Sequence, residues 1–216
     1  GYSFEVDIQL RGDGECLSIL GQVHRSIVYR RLGSERVSRF AFGDYKGEEY
    51  EWEDAVNTSD ALAQIAMWPT LGNLAYVVDE SVLIVEFSRV SKGKSVDRIG
   101  ISVDEFFVKQ PSLATKLLAL VKELHVNLGA LRSIANWELE HSFGYEWREE
   151  QERLRHGVVT GIYWLDILSG SLATKRHIAE LARPRGPETV VDTLVDGSIL
   201  YQQTSDPLRW LSNEGT

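Results

Sequence analysis

From Pro111 onward, apolar side chains recur every three or four residues: Leu113, Leu117, Leu120, Val121, Leu124, Leu128, Leu131 and Ala135. That spacing puts one unbroken apolar face on a helix over residues 111–135, with proline in its first turn. Such a face is not stable in water and has to lie on another apolar surface. The sequence supplies one upstream. Residues 81–90 (SVLIVEFSRV) and 98–103 read as strands joined by a polar SKGKS turn, so they form an antiparallel hairpin on which the helix can pack.

The rest of the chain fits that scheme. Residues 2–10 alternate Phe4, Val6, Ile8 and Leu10 with polar neighbours, the period of a half-buried strand. Leu17, Leu20, Val23, Ile27 and Leu32 are spaced for a helix over 16–32. Residues 39–42 form a short strand that Gly43 ends. The cluster Asn57, Thr58, Ser59 and Asp60 caps a short helix over 61–68, stopped by Pro69. Residues 146–155 are charged on all sides and read as a solvated helix end or loop. Residues 158–165 are strand-like, and 171–181 a helix that Pro184 and Pro187 keep from continuing. Residues 190–194 and 198–202 form a hairpin around Val195, Asp196 and Gly197. With no repeat and no linker, the expectation is a single α+β domain over 1–216. Its antiparallel or mixed sheet would be covered by helices on one side.

Charge narrows the partners. Against 23 Lys and Arg stand 32 Asp and Glu, a formal net charge of −9, which argues against nucleic acid or an anionic membrane and favours a basic protein. No apolar run approaches the roughly 18–20 residues of a membrane span, and no secretory signal is visible. The one cysteine, Cys16, permits no intramolecular disulfide and no multi-cysteine metal site. The expected location is cytoplasmic.

Catalytic signatures are absent. There is no GxSxG, HExxH, GxxxxGK[ST] or GxGxxG. His24, His125, His141, His156 and His177 are dispersed at spacings that fit no common metal motif, and Cys16 reads as a buried thiol. A metal-dependent nuclease would place an acid and an acid-x-Lys pair together, and only Asp44 and Lys46, with Asp13 upstream, match. One such tripeptide is expected by chance, so no catalytic residue, metal or cofactor is expected. The most biased segment is residues 44–54, with Lys46 alone against six acids. It reads either as a solvated loop or edge strand, or as a face for a basic partner. In the second reading Asp44, Glu48, Glu49, Glu51, Glu53 and Asp54 supply charge, and Tyr45, Tyr50 and Trp52 supply rigid contact area. The spacing lacks the Asp-x-Asp-x-Asp-Gly pattern of a calcium loop.

The last part of the chain carries a resemblance. The run GIYWLDILSGSLATK (161–175) and then VVDTLVDGSILYQQTSDP (190–207) resembles bacterial immunity proteins of polymorphic-toxin and type VI secretion systems, in particular immunity protein family 52. Tyr163, Trp164, Leu165, Gly197, Ile199 and Leu200 carry the match. The resemblance implies a protein that is not an enzyme and that neutralises a cognate toxin by covering its active or substrate-binding site. A nuclease toxin would present a basic cleft, to which an acidic inhibitor is complementary. The alternatives are an adaptor or chaperone of a secretion apparatus, and a hydrolase or nuclease with an unrecognised site.

Overall fold

A computed structural model of the protein describes residues 3–33, 35–43, 51–67, 71–89, 95–137, 147–159, 163–173 and 188–204. Their strands are β1 (Ser3–Gln9), β2 (Arg39–Gly43), β3 (Glu51–Asp54), β4 (Leu71–Val78), β5 (Ser81–Ser88), β6 (Arg98–Asp104), β7 (Arg132–Trp137), β8 (Leu165–Leu168), β9 (Val190–Thr193) and β10 (Ile199–Gln202). The helices are α1 (Cys16–Tyr29), α2 (Thr58–Met67), α3 (Glu105–Lys109), α4 (Pro111–Asn127), α5 (Trp147–Arg155) and α6 (Gly170–Ala173). All ten strands join one sheet in the order β3-β2-β4-β5-β6-β1-β7-β8-β10-β9. Every pairing is antiparallel, so the fold is α+β.

The pleat sorts each strand onto two faces. On one face Phe4, Val6 and Ile8 of β1 meet Ile99, Ile101 and Val103 of β6 and join the main core, to which α1, α2, α3 and α4 add their apolar sides. Three helix starts have side-chain caps, while α4 opens on Pro111 without one. Glu15 accepts the N–H groups of Leu17 and Ser18 for α1, Asp104 accepts that of Phe107 for α3, and Asn57 accepts that of Asp60 at 2.8 Å for α2. The last contact begins α2 at Thr58, three residues before the apolar run suggests.

The leucine stripe does not mark one helix. α4 ends at Asn127, because Gly129 adopts φ +59 and the Gly129 and Ala130 N–H groups turn back to the carbonyls of Val126 and His125. This is the hydrogen-bond pattern of a glycine-terminated helix. Leu131 follows the turn and Ala135 lies on β7. The spacing of three and four continues past the helix by coincidence. Leu117 and Leu124 are buried as the stripe requires, while Leu131 is only half-buried and belongs to a separate cluster.

Three further expectations are corrected. Residues 71–78, to which no sequence pattern assigned an element, form β4, a full strand inside the sheet. Val158, Val159, Tyr163 and Trp164 are not strand, and β8 begins at Leu165, while 160–162 lie outside the described residues. The charged segment is helical from Trp147 but solvated on one side only: in α5 Arg148, Glu149, Glu152 and Arg155 are exposed, while Glu150, Gln151 and Leu154 are buried. It packs on the face opposite α1–α4, so helices cover both sides of the sheet. Of the helix expected over 171–181, α6 is described, and 174–181 lie outside the described residues.

Candidate interaction surface

The face opposite α1–α4 is polar and yet largely buried. Register places ten residues in one row across it: Trp52, Ala41, Asn73, Glu86, Gly100, Asp7, Ile134, Asp166, Tyr201 and Val191. Two arginines from the neighbouring row lean into it. Arg98 lies along β6 over Gly100, where a β-carbon would stand 3.2 Å from its Nη2. From there it pairs with Asp7 at 2.8 Å on one side and with Glu86 on the other. Arg132 holds Asp166 through two bonds, Nε to Oδ1 at 2.8 Å and Nη2 to Oδ2 at 2.6 Å, and also reaches Glu150 of α5. Its guanidinium lies 5.4 Å from the centre of the Tyr163 ring.

Burial dominates the electrostatics here. It pushes the carboxyls of Asp7 and Asp166 up, against the downward pull of Arg98 and Arg132 respectively. Burial also opposes charge on Arg132, but Asp166 and Glu150 more than offset it, and the guanidinium titrates above its ordinary range. The Tyr163 phenol is pushed up to about 12, first by burial. These groups are charged or bonded partners of one another, and α5 and Tyr163 seal their end of the face. Over β4, β5 and β6 no described helix lies on this side, and Val77 and Val82 are exposed.

A second polar cluster sits where α4 meets the C-terminal hairpin. His125 bonds the Ser133 hydroxyl through Nδ1 at 2.8 Å and the Ser198 hydroxyl through Nε2 at 3.0 Å. Ser198 donates its hydroxyl proton to Asp196 at 2.9 Å, so it accepts from His125 Nε2–H. Burial keeps the ring neutral, so Nδ1 accepts the Ser133 hydroxyl proton. Burial lowers its pKa to about 4. A base bonded to a serine would suit nucleophilic chemistry, but His125, Ser133 and Ser198 are all buried. The cluster ties α4, β7 and the β9–β10 turn together.

The residues singled out in the sequence are scattered by comparison. Asp44, Tyr45, Lys46, Glu48, Glu49 and Tyr50 lie outside the described residues. Glu51, Trp52, Glu53 and Asp54 form β3, the strand at one edge of the sheet, with Trp52 half-buried and Glu53 and Asp54 exposed. Register puts Trp52 and Asp54 on the polar face, where Asp54 meets Arg39 at 3.4 Å. Asp13 is exposed. Cys16 is buried and accepts from Arg89, and burial raises its pKa, which makes it a poor nucleophile. Of the resemblance-bearing residues, Tyr163, Trp164, Leu165 and Leu200 are buried, and Gly197 turns the hairpin at φ +84. Among the described residues no group of three or more His, Cys, Asp or Glu side chains could hold a metal. No described helix is long and apolar enough to cross a membrane.

The chain aligns over 93% of its length with the Pseudomonas aeruginosa T6SS protein PA0821, at a TM-score of 0.51 and 12% sequence identity. Its fold is similar to that of a type VI secretion protein. The chain spans 64% of that protein's length. A slighter overlap, TM-score 0.35 at 11% identity, covers 63% of this chain and 86% of a chain from the complex of the toxic C-terminal tip of CdiA from Pseudomonas aeruginosa with its immune protein. No family model matches the sequence, and no curated protein matches it. The residues that sequence reasoning missed are Asp7, Asn73, Glu86, Arg98, Arg132 and Asp166. Each occupies the polar position of an alternating strand, and nothing in alternation says that such a position will be buried.

Proposed function

We propose that the protein is a non-enzymatic immunity protein that binds a cognate bacterial toxin and neutralises it by covering its active or substrate-binding site. The observation that carries this reading is the fold likeness, along nearly the whole chain, to a type VI secretion protein. Three features support it. The net charge of −9 suits a basic partner such as a nuclease. A polar, partly uncovered sheet face stands beside a charged edge strand. The C-terminal residues that resemble immunity protein family 52 fill the core and the last hairpin turn, so that resemblance concerns the fold. Such a protein would act in the cytoplasm, where the toxin meets its target.

The test is co-expression with the toxin encoded by the adjacent gene, together with calorimetry on the purified pair. Restored growth and a stoichiometric complex that abolishes toxin activity are the expected results. An adaptor of the secretion apparatus would bind the effector but leave it active, and that outcome overturns the reading.

A further inference from the structure

The two edges of the ten-stranded sheet are finished differently. At one end β3 consists of Glu51, Trp52, Glu53 and Asp54, and the Trp52 carbonyl accepts from Arg39 Nη2 at 3.1 Å. Charge of that density keeps other strands from pairing there. At the other end β9 consists of Val190, Val191, Asp192 and Thr193, all four exposed. Val190 and Val191 project to opposite faces and are 43% and 40% exposed, and Val195 in the adjoining turn is 95% exposed. Among the described strands β9 pairs with β10 alone. The direction of its backbone groups follows from the alternation along an antiparallel pair. The Leu194 N–H bonds the Ser198 carbonyl at 2.8 Å, so Asp192 and Val190 also turn their groups toward β10. Val191 and Thr193 therefore turn theirs outward. In agreement, the Thr193 N–H goes to Asp192 Oδ1 at 2.8 Å and not to β10. The N–H and C=O of Val191 and the Thr193 carbonyl thus face out from the sheet, where no described strand lies.

An open edge that carries exposed valines is a template for one more strand. Charge selects what that strand is. Residues 188–204 contain Glu188, Asp192 and Asp196 and no lysine or arginine. A second copy of the chain fits poorly. A two-fold axis near the middle of β9 falls at Val190, Val191 or Asp192, which sets Asp192 opposite Glu188, Val190 or another Asp192 respectively. Each register places a carboxylate against a valine or a second carboxylate, between molecules of net charge −9. We propose that the outer edge of β9 is where an extended basic segment of the toxin pairs as an added strand, a proposal that rests on the reading of the protein as an inhibitor of a basic partner. Val191 exchanges its outward backbone bonds with that segment, and a lysine or arginine of the segment stands opposite Asp192. Val190 and Val191 give it apolar contact on both faces. In such pairing the main chain supplies affinity and alternate side chains supply specificity. At the other edge β3 attracts a basic partner by charge without offering it a strand to pair with.

Two experiments decide it. In the first, nitrogen-15 NMR follows the Val191 backbone amide as a capped six-residue peptide of alternating lysine and valine is titrated into the protein. The controls are the peptide with glutamate in place of lysine and a copy methylated at every backbone nitrogen. Movement with the lysine peptide alone supports the added strand; no movement, or equal movement with either control, overturns it. In the second, affinity for the toxin encoded by the adjacent gene is measured for Val191→Pro and for Asp192→Lys. Proline removes an outward N–H and leaves the β9–β10 bonds in place, since Val191 gives none to β10. Both variants should weaken binding by about tenfold or more while melting as folded proteins. Hydrogen exchange at the Val191 amide of the unaltered protein, which needs no substitution, should slow by about tenfold or more in the complex. Unchanged affinity in both variants, or unchanged exchange at Val191 in a formed complex, overturns the added strand while leaving the inhibitor reading intact. A toxin that fails to bind the unaltered protein overturns the inhibitor reading, and the peptide titration still decides whether the edge takes a basic strand.

Discussion

Strand β1 shows two ways of burying a sheet within a span of seven residues. Phe4, Val6 and Ile8 point toward the helices and are buried among aliphatic and aromatic neighbours. Asp7 and Gln9 point the other way and are buried as deeply, among Arg98, Glu86 and Arg132. The apolar side gains from area removed from water, a term without direction that tolerates substitution of similar volume. The polar side gains only if each charge keeps its partner, because an orphaned buried charge costs more than the pair returns. The helix-covered face should therefore fail gradually and the polar face abruptly.

The largest test of that contrast is Arg132→Met. It leaves Asp166 buried without its cation and Glu150 with Arg153 alone, at 3.1 Å, and should cost about 3–5 kcal/mol in urea unfolding. Replacing all three, with Asp166→Leu and Glu150→Leu added, should recover most of the loss. If Arg132→Met alone is nearly neutral, the contrast between the faces collapses. Leu124→Ala, in the apolar core, should cost about 2–5 kcal/mol by leaving a cavity, with no comparable rescue by a second change.

The His125 cluster allows a test by pH. Its folded pKa of about 4 lies below the ordinary value of 6.5, so the unfolded chain takes up the proton first. Its contribution is fully present above pH 6.5 and is lost as pH falls through 4, up to about 3 kcal/mol in all. His24 is shifted in the same direction by burial and adds to the slope. Stability measured between pH 7 and 5 should fall less steeply in His125→Gln than in the unaltered protein, and equal slopes would refute the buried neutral ring. The smallest effect is expected at the edge strand. Glu53→Lys with Asp54→Lys should change stability by less than about 1 kcal/mol, because both side chains are exposed. Under the proposed function the same pair should slow association with the toxin, read by stopped flow at low salt.

Much of the architecture was legible in the chain. The alternation of Phe4, Val6 and Ile8 marked β1, the SKGKS turn joined the right two strands, and Asp196 and Gly197 marked the last hairpin. Gly129 also carried the true end of α4, but the apolar positions at Leu131 and Ala135 continued the helical spacing and masked it. α5 was misread for a different reason. A helix whose buried face is Glu150, Gln151 and Leu154 shows no apolar stripe, since Arg132 holds the first and the Asp97 carbonyl the second, and only Leu154 is held by apolar contact. The edge position of Glu51–Asp54 agrees with one of the two readings of that segment, because charged side chains suit a strand with an unpaired side.

By itself the sequence determined which residues share a face of each strand, where α1 and α4 start, and the excess of negative charge. These follow from local geometry, since the periods of strand and helix and the capping contacts involve residues only a few positions apart. Only the tertiary structure decided the order of the ten strands and the burial of Asp7, Arg132 and Asp166. Those depend on pairings between residues far apart in the chain. Asp7 meets Arg98, and Arg132 meets Asp166, only once the strands are in register, and a polar position has no way to signal its partner from a distance.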